Sequence, residues 1–351
     1  MEPTNQYQPV PPQPQAQPRP ARRSRKGCLW AAGIAAALGF LTLVAIAVMV
    51  STMDDLGGSV SSAAPITWDE EYISGTGSDK IAVLPVVGVI GAGGDGGVFS
   101  SEGATPETLN SQLVQAADDE SVRAIVLEVN SPGGGVVASD EMYRDILDFK
   151  RETNKPVVVS MGDTAASGGY YISMASDHIV ANPATLTGSL GVILSYLNYE
   201  EAANKLGLRQ VVIKSGEFKD IGSPTRDLTE EERQILQQLI DETYQQFVDV
   251  IVEGRDLPRA RVLELADGRI YSGKRAEALD LVDSLGDLDD ATAQAQRLAN
   301  LQEATVVRYD FTPGFFDLFA ARLQPRDPEA LAVLKAAGLD PTPKLQYKYQ
   351  P

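Results

Sequence analysis

One uncharged stretch near the N-terminus constrains the structure of this chain of 351 residues more than any other sequence feature. From Gly27 to Val50 there is no Asp, Glu, Lys or Arg, and every residue except Thr42 is apolar or glycine. As a helix with a rise of ~1.5 Å per residue, this stretch is about 36 Å long, enough to cross a hydrocarbon core of about 30 Å. The apolar region of a cleaved signal peptide is shorter, at about 7–15 residues. The sequence therefore predicts a retained transmembrane helix over residues 27–50.

Charged residues on the two sides of this stretch predict its orientation. Basic residues precede it and acidic residues follow it, and basic flanks stay in the cytoplasm. The N-terminus is therefore expected in the cytoplasm and residues 51–351 outside the membrane. The net charge of −18 then separates into +4 for residues 1–50 and −22 for the rest, which argues against a nucleic-acid partner. The basic residues are Arg19, Arg22, Arg23, Arg25 and Lys26, and the acidic ones include Asp54, Asp55, Asp69, Glu70 and Glu71.

The chain contains one cysteine, Cys28, and one histidine, His178. A single cysteine excludes an internal disulfide framework. One cysteine and one histidine together are also too few ligands for a Cys/His zinc site. Any histidine-based mechanism therefore depends on His178. The segment Gly91–Gly96 matches the dinucleotide pattern GxGxxG, but no helix is predicted to open within it, as that pattern requires. We expect no metal and no cofactor.

Composition divides the chain into five segments. Residues 1–26 form a disordered Pro/Gln-rich tail with a basic flank, which cannot bury enough surface to fold. The membrane helix at 27–50 precedes a linker at 51–79 that is rich in Ser, Gly, Thr and Asp. A folded domain is predicted over 80–310, and residues 311–351 form a C-terminal extension.

The folded domain alternates predicted strands with predicted helices, which is typical of an α/β protein. Its Val/Ile runs are continuous rather than alternating, as in parallel strands covered by helices on both faces. Strands are predicted at Ile81–Ile90, Val122–Val129, Pro156–Ser160, His178–Ala181 and Arg209–Ile213. Helices are predicted at Pro106–Ala117, Ala138–Lys150, Glu200–Leu206, Thr229–Glu253, Pro258–Ala266, Lys274–Ala278 and Asp289–Leu298.

Two glycine-rich loops follow predicted strands and could carry chemistry. In Asn130–Gly135, consecutive glycines let backbone N–H groups turn toward one point, which suits an oxyanion, although a tight turn explains them equally well. In Thr164–Tyr170, Ser167 has the small neighbours that a nucleophile elbow requires. Ala165 replaces the first glycine of the strict GxSxG pattern, so a plain packing turn remains open.

A serine nucleophile needs a base, and the residues alone leave the base open. His178 follows Asp177, but a histidine at a strand edge is usually structural. A lysine is the other option, and since a free lysine has a pKa near 10.4, the site must disfavour its charged form. Composition does not distinguish Lys219 from Lys155, Lys205 and Lys214. Because carboxylates stabilise an ammonium group, a role for Lys219 requires Glu217 and Asp220 to point away.

Four motifs occur in a specific order between about Ile81 and Ser284. They are Asn130-Ser-Pro-Gly-Gly-Gly, Thr164-Ala-Ala-Ser-Gly-Gly-Tyr-Tyr, Thr187-Gly-Ser-Leu-Gly-Val and Ser215-Gly-Glu-Phe-Lys-Asp-Ile-Gly-Ser-Pro. Together they resemble the signal peptide peptidase A family of membrane-anchored serine peptidases, in its short, single-copy form. The resemblance implies a fold similar to the Clp protease (ClpP) and crotonase superfamily, with stacked β-β-α units.

The resemblance also implies a mechanism and its residues. Ser167 would be the nucleophile and Lys219 the general base of a Ser/Lys dyad, with Ser189 orienting the lysine. The backbone N–H groups of Gly134 and Gly168 would form the oxyanion hole. The implied reaction is hydrolysis of remnant signal peptides and other short or unfolded peptides through an acyl-enzyme. Related members form ring-shaped homo-oligomers in which neighbouring subunits share each active site.

Two further expectations complete the prediction. Leu345, Tyr347 and Tyr349 alternate with polar residues, which predicts an extended strand that docks on a neighbouring subunit or in a peptide groove, against the alternative of a disordered tail. Two rival functions remain: a crotonase-type enzyme acting on acyl-thioesters, and a catalytically silent membrane scaffold. Neither rival needs Ser167 or Lys219.

Overall fold

The computed structural model describes residues 67–91, 103–310 and 344–348. The predicted cytosolic tail and transmembrane helix lie outside these residues, as do most of the glycine-rich loop that begins at Gly91 and most of the C-terminal extension. Within the described ranges, no helix has both the length and the apolar character needed to cross a membrane.

The strands form a large sheet and a small one. Seven strands of the large sheet follow the order β1-β11-β2-β3-β5-β6-β10, and β7 and β9 extend it beside β5. All of its pairs are parallel except β1 with β11 and β7 with β9. The small sheet has the order β4-β12-β8. The strands are β1 (Asp69–Gly75), β2 (Lys80–Val87), β3 (Val122–Ser131), β4 (Gly133–Gly135), β5 (Val157–Ala166), β6 (His178–Ala181), β7 (Leu186–Gly188), β8 (Ile193–Ser195), β9 (Ile270–Ser272), β10 (Ser284–Leu285), β11 (Thr305–Asp310) and β12 (Lys344–Lys348).

Helices connect these strands and cover the large sheet. They are α1 (Pro106–Asp118), α2 (Val136–Thr153), α3 (Gly168–Ser173), α4 (Glu200–Lys205), α5 (Glu230–Arg255), α6 (Arg259–Leu265), α7 (Gly273–Glu277) and α8 (Leu288–Leu298), with a 3₁₀ turn at Glu217–Asp220. The larger apolar cluster packs Leu84 and Leu127 with Met142 of α2 and Phe247 of α5. A smaller cluster on alternate strand positions packs Val83, Val126 and Val158 with Ala291 and Ala295 of α8. Both faces of the central strands are therefore buried, which confirms the α/β prediction.

Two helix starts follow directly from local sequence signals. Thr105 caps α1 by accepting a hydrogen bond from the backbone N–H of Thr108, and Pro106 occupies the first turn. Thr229 caps α5 in a reciprocal capping box with Glu232. The predicted helices at these places are confirmed, with ends that shift by one or two residues.

The linker prediction for 51–79 is wrong at its C-terminal end. Residues Asp69–Gly75 form β1, an edge strand that pairs antiparallel with β11, and the neighbouring Trp68 is buried. The hydrogen-bonding partner is more than 200 residues away in sequence, so the polar composition of this segment concealed its role.

The prediction of a strand at Arg209–Ile213 is also wrong in the structure of the single chain. No strand forms there, and the side chains are exposed, to 97% for Ile213. A β-branched run favours extended backbone, but a strand needs a neighbour to accept its hydrogen bonds. None of the described residues supplies that neighbour.

Candidate active site

Ser167 lies where β5 ends and α3 begins, and its backbone has an unusual conformation. Its φ of 54° and ψ of −114° are outside the regions that ordinary residues adopt. The backbone N–H of Ser167 donates to the carbonyl of Gly188 at 2.8 Å, and its own carbonyl accepts from Tyr171 at 2.8 Å. These bonds hold a strained strand-to-helix turn, which is the backbone arrangement of a nucleophile elbow.

The hydroxyl of Ser167 is buried without a partner. The residue has no exposed surface, and its Oγ makes no hydrogen bond with the residues that the structure describes. A buried hydroxyl normally finds a hydrogen-bond partner, and exceptions often have a functional role. The Ser167 hydroxyl is therefore available to bond with a substrate or with another copy of the chain.

The two predicted oxyanion residues lie together beside Ser167. A methyl group added at Gly168 would lie 3.1 Å from the backbone nitrogen of Gly134 and 2.5 Å from the hydroxyl of Ser139. A methyl group added at Gly134 would lie 1.7 Å from the carbonyl oxygen of Ile90. Only glycine permits these backbone approaches. Gly168 is also the first residue of α3, where a backbone N–H has no intrahelical acceptor.

Ser189 is brought next to Ser167 by the pairing of two parallel strands. In this ladder Ala166 of β5 lies opposite Gly188 of β7. Ser167 follows Ala166 and Ser189 follows Gly188, so the two serines leave the ladder side by side. Ser189 is half-buried, has a φ of 52°, and donates its backbone N–H to the carbonyl of Arg269 at 2.8 Å. The structure therefore gathers Ser167, Ser189, Gly134 and Gly168 at one end of β5.

Lys219 is not part of this group within one chain. It lies in the 3₁₀ turn Glu217–Asp220, where it is exposed. No hydrogen bond or ion pair joins its amine to any residue in the described ranges. Lys219 therefore makes no hydrogen bond to Ser167, whose hydroxyl has no partner among the described residues.

His178 lies at the opposite end of the sheet from Ser167. It pairs with Val158 in the β5–β6 ladder, nine residues before Ser167 in sequence. At about 3.3 Å per residue, that separation is roughly 30 Å. Its Nε2 is 2.9 Å from the Ser284 hydroxyl, and burial lowers the pKa of the imidazole. Within one chain, His178 is therefore far outside hydrogen-bond reach of Ser167.

The C-terminal segment forms a strand beside the predicted oxyanion loop, and β12 lies between β4 and β8, antiparallel to both. In this register Tyr347 is opposite Gly134, and Gln346 is opposite Gly135 on one side and Ile193 on the other. The predicted extended strand is therefore present at Lys344–Lys348, and it occupies a groove whose one wall contains Gly134.

A cavity that the sequence did not reveal opens next to Ser189. Its volume is about 430 Å³, and apolar residues from the loop after Ser189 and from α5 form much of its lining, with Asp241 and Asp267 also on its wall. The apolar lining includes Leu190, Val192, Ile193, Ile240 and Tyr244. Such a cavity suits an apolar side chain. No local pattern predicts it, because its walls come from three separate segments, 189–193, 240–244 and 266–268.

No metal site accompanies these residues. Within the described ranges, no three His, Cys, Asp or Glu side chains come close enough together to hold a metal ion. The groups gathered at the site are serine hydroxyls and backbone N–H groups.

Comparison with known families agrees with this arrangement. Residues 149–302 match the family model of peptidase family S49, and residues 100–185 match that of Clp protease. The parallel-dominated sheet with helices on both faces fits a Clp protease-like fold. The Clp protease match spans both loops that meet at Ser167.

Individual relatives extend the similarity over most of the chain. The chain is 37% identical over 290 residues to a protein of Enterococcus faecium named as a candidate signal peptide peptidase SppA, covering 80% of this chain and 84% of the relative. It is 38% identical over 237 residues to protease 4 of Salmonella typhi, covering 66% of this chain and 38% of that protein. A chloroplast serine protease SPPA of Arabidopsis thaliana is 35% identical over 228 residues, covering 64% of this chain and 33% of the relative. The chain therefore belongs to peptidase family S49, the SppA family of serine peptidases.

Proposed function

We propose that this protein is a membrane-anchored serine endopeptidase that hydrolyses remnant signal peptides and other short or unfolded peptides through a Ser167/Lys219 dyad. The observation that carries the proposal is the buried, unpartnered hydroxyl of Ser167, placed on a strained turn beside Gly134 and Gly168. Residues 1–26 face the cytoplasm in this proposal, 27–50 cross the membrane, and the peptidase domain lies outside.

The proposed reaction has two halves. The neutral amine of Lys219 takes the proton of Ser167 as Oγ attacks the carbonyl carbon of the scissile peptide bond. The developing oxyanion is stabilised by the N–H groups of Gly134 and Gly168. As the C–N bond breaks, the lysine ammonium returns the proton to the leaving amine, and an ester to Ser167 remains. Water, deprotonated by Lys219, then hydrolyses the ester and regenerates the serine.

Ser189 has the supporting role in this proposal. Like Ser167, it lies one residue beyond the Ala166–Gly188 pair of the ladder, at a bend fixed by the hydrogen bond to the Arg269 carbonyl. From there a hydroxyl can accept a hydrogen bond from the lysine amine while that amine faces Ser167. A general base is effective only within hydrogen-bond reach of the proton it removes, so its orientation matters as much as its presence.

Peptide substrates are proposed to bind as an added strand. The edges of β4 and β8 present backbone groups on both sides of a groove, and β12 uses both of them. Strand addition recognises the peptide backbone, while pockets select alternate side chains. The cavity beside Ser189 has a mixed lining, and its apolar wall of Leu190, Val192 and Ile240 can take an apolar residue, as expected for fragments of membrane-inserted signal peptides.

Lys219 is proposed to reach Ser167 of a neighbouring copy in a ring-shaped homo-oligomer. The segment that leads to Lys219 exposes large apolar side chains without a partner strand in its own chain. They are Leu206, Leu208, Val211, Val212 and Ile213. Contiguous exposed apolar surface of this kind marks an interaction surface. If the segment docks on a second copy, it carries Lys219 with it.

The direct test is hydrolysis of a quenched fluorescent peptide by the full chain in detergent. Ser167→Ala and Lys219→Ala should each lower kcat by at least about 10²–10⁴-fold, the usual contribution of a general base, while His178→Ala should keep near-normal activity. A fluorophosphonate should label the wild type and not Ser167→Ala.

Other outcomes would overturn the proposal. Full activity of Lys219→Ala would remove the dyad, and loss of activity in a folded His178→Ala would favour a triad instead. Hydrolysis of an acyl-thioester by Ser167→Ala would favour the crotonase-type alternative. A wild type with neither activity nor labelling would be a membrane scaffold.

A further inference from the structure

A cluster of charged side chains surrounds the 3₁₀ turn that carries Lys219. The carboxylate of Asp220, the residue after Lys219, accepts hydrogen bonds from Lys214 at 2.6 Å and from Arg226 at 2.8 and 3.1 Å. Lys214 also donates to the carbonyl of Glu217 at 2.6 Å, at the start of the same turn. Both oxygens of Asp220 are therefore engaged by Lys214 and Arg226, and neither accepts a hydrogen bond from the Lys219 amine.

Arg226 connects this turn to a rigid helix. Its guanidinium donates to Glu232 at 2.8 Å as well as to Asp220, and thus bridges two carboxylates. The Glu232 side chain is only 3% exposed and belongs to the capping box that begins α5 with Thr229. We call Asp220, Arg226 and Glu232 the arginine clamp. Its planar guanidinium offers the several fixed donors that the clamp uses, which a lysine ammonium cannot reproduce.

The clamp keeps both of its carboxylates, Asp220 and Glu232, in the ionised state. Hydrogen bonds from Arg226 and from Lys214 hold the pKa of Asp220 well below its usual range, and those from Arg226 and Thr229 lower the pKa of Glu232 to about 2. Both acids are therefore ionised wherever the enzyme works. Tyr196 lies close enough to feel the charges of Arg226, Glu232, Asp227 and Arg233. Glu217 lies on the Lys219 turn and is exposed.

An ionised carboxylate next to a lysine matters for catalysis. A nearby negative charge stabilises the ammonium form, whereas a general base must be the neutral amine. Asp220 is the nearest acid to Lys219 in sequence, so a free Asp220 side chain could turn toward the amine. The bonds to Arg226 and Lys214 hold it elsewhere.

We propose that Arg226, fixed by Glu232, is a positioning residue that keeps Asp220 away from Lys219 and so leaves Lys219 free to act as the base. The inference rests on the proposed function, because it assumes that Lys219 is that base. It assigns the three clamp residues a role in the proposed site although none of them touches the substrate.

The test is the pH dependence of kcat/KM for peptide hydrolysis by the full chain. Arg226→Gln removes both guanidinium hydrogen bonds from the Asp220 carboxylate and leaves only the exposed Lys214 on it. Asp220 can then turn toward Lys219, which should move the acid limb of the profile to higher pH by about 1–3 units, the usual effect of an adjacent opposite charge. Activity should return toward the wild-type level above the shifted limb. Adding Asp220→Asn to Arg226→Gln should restore the original limb. Arg261→Gln, which breaks an exposed ion pair with Glu264, is the matched control and should leave the profile unchanged.

A purely structural role for Arg226 predicts different results. An equal loss of activity at every pH would overturn the proposal, as would a limb that stays shifted in the double variant. If Arg226→Gln does not fold, Asp220→Asn alone decides. If the acid limb of Asp220→Asn lies within a few tenths of a pH unit of the wild-type limb, the clamp is supported, because Asp220 is already held away from Lys219 in the wild type. A limb moved to lower pH by one unit or more contradicts it.

The inference and the proposed function fail in different ways. An active Lys219→Ala would remove the proposed function itself. An inactive Lys219→Ala, together with an unshifted Arg226→Gln profile, would remove only the clamp.

Discussion

The backbone N–H of Ser167 donates a 2.8 Å hydrogen bond to the carbonyl of Gly188. This bond fixes the strained turn at the proposed nucleophile. It also places Ser189, which follows Gly188, beside that turn. The geometry of the nucleophile and that of its supporting serine therefore depend on the same strand pair. A change in the register of β7 would move both residues.

Removing the Ser189 hydroxyl tests its proposed contact with the lysine. Ser189→Ala should lower kcat by roughly 10–100-fold, because a hydrogen bond to a charged or reacting group contributes about 1.5–3 kcal/mol. Ser189→Gly should have the same effect without the backbone strain that alanine meets at a φ of 52°. If the glycine variant recovers full activity, backbone strain rather than the hydroxyl explains the alanine result.

The close approach of Gly134 to Ile90 predicts a strong effect of one methyl group. Gly134→Ala places its methyl group 1.7 Å from the Ile90 carbonyl oxygen, so β4 must shift. A displacement of about 1 Å at a catalytic group costs on the order of 10²-fold in rate. Gly91→Ala, where added atoms meet nothing within 4 Å, is the matched control. Thermal denaturation should show both variants folded, and a Gly134→Ala enzyme with normal kcat would remove Gly134 from the oxyanion hole.

The strand β12 occupies the groove that we assign to substrate, so the C-terminal segment should compete with peptides. A chain ending at Asp340 should show a lower KM, by about tenfold if the segment is bound nine-tenths of the time. Removal of residues 349–351 alone, which leaves β12 intact, should change little. The synthetic peptide Lys-Leu-Gln-Tyr-Lys should inhibit the truncated enzyme competitively. Identical activity and oligomer size in both truncations would remove any role of β12 in the groove.

An ion pair near His178, at the end of the sheet away from Ser167, predicts a pH-dependent stability. Arg255, whose side chain is 9% exposed, donates to Asp283 at 2.7 and 3.0 Å. Burial alone would raise the pKa of Asp283. The hydrogen bonds and positive charge of Arg255, the backbone N–H of Ile179 and the nearby His178 together outweigh burial and hold that pKa below its usual range. Asp283→Asn should lower the free energy of unfolding at neutral pH by about 1.5–3 kcal/mol.

The sign of the pH effect follows from the lowered pKa. The stabilisation by Asp283 is complete above the pKa of an unfolded aspartate, about 3.9, and is lost as the pH falls through the lower folded value. Denaturant melts should therefore show a difference between wild type and Asp283→Asn that shrinks below about pH 4. Asp280→Asn, which changes an exposed side chain nearby, is the control. A difference that grows in acid would contradict this assignment.

Features that depend on neighbouring residues could be predicted from the sequence. The caps Thr105 and Thr229 lie within three residues of the N–H groups they satisfy, and the helices after them begin where predicted. The buried run of β3 and the turn at Ser167 are equally local, because each needs only its own residue types. The α/β class and two of the loops at the site follow from such patterns.

Features that depend on distant partners could not be predicted. The strand β1 forms because β11 lies beside it, and Arg209–Ile213 remains outside any strand because a single chain offers no neighbour. The clamp joins Arg226 to acids six residues away on each side, a spacing without a recognised sequence signature. The proposed role of Lys219 as the base rests on the family resemblance, since composition makes four lysines equivalent.

The central claim is that Ser167 of one copy and Lys219 of another form one active site, and mixing inactive subunits tests it directly. Ser167→Ala and Lys219→Ala chains are each inactive alone in this account. When they are co-assembled in equal amounts, random mixing should place an intact serine beside an intact lysine at about one quarter of the sites of a cyclic oligomer. Peptide hydrolysis should then recover to about a quarter of the wild-type rate. Mixed oligomers that stay as inactive as either parent would contradict the claim.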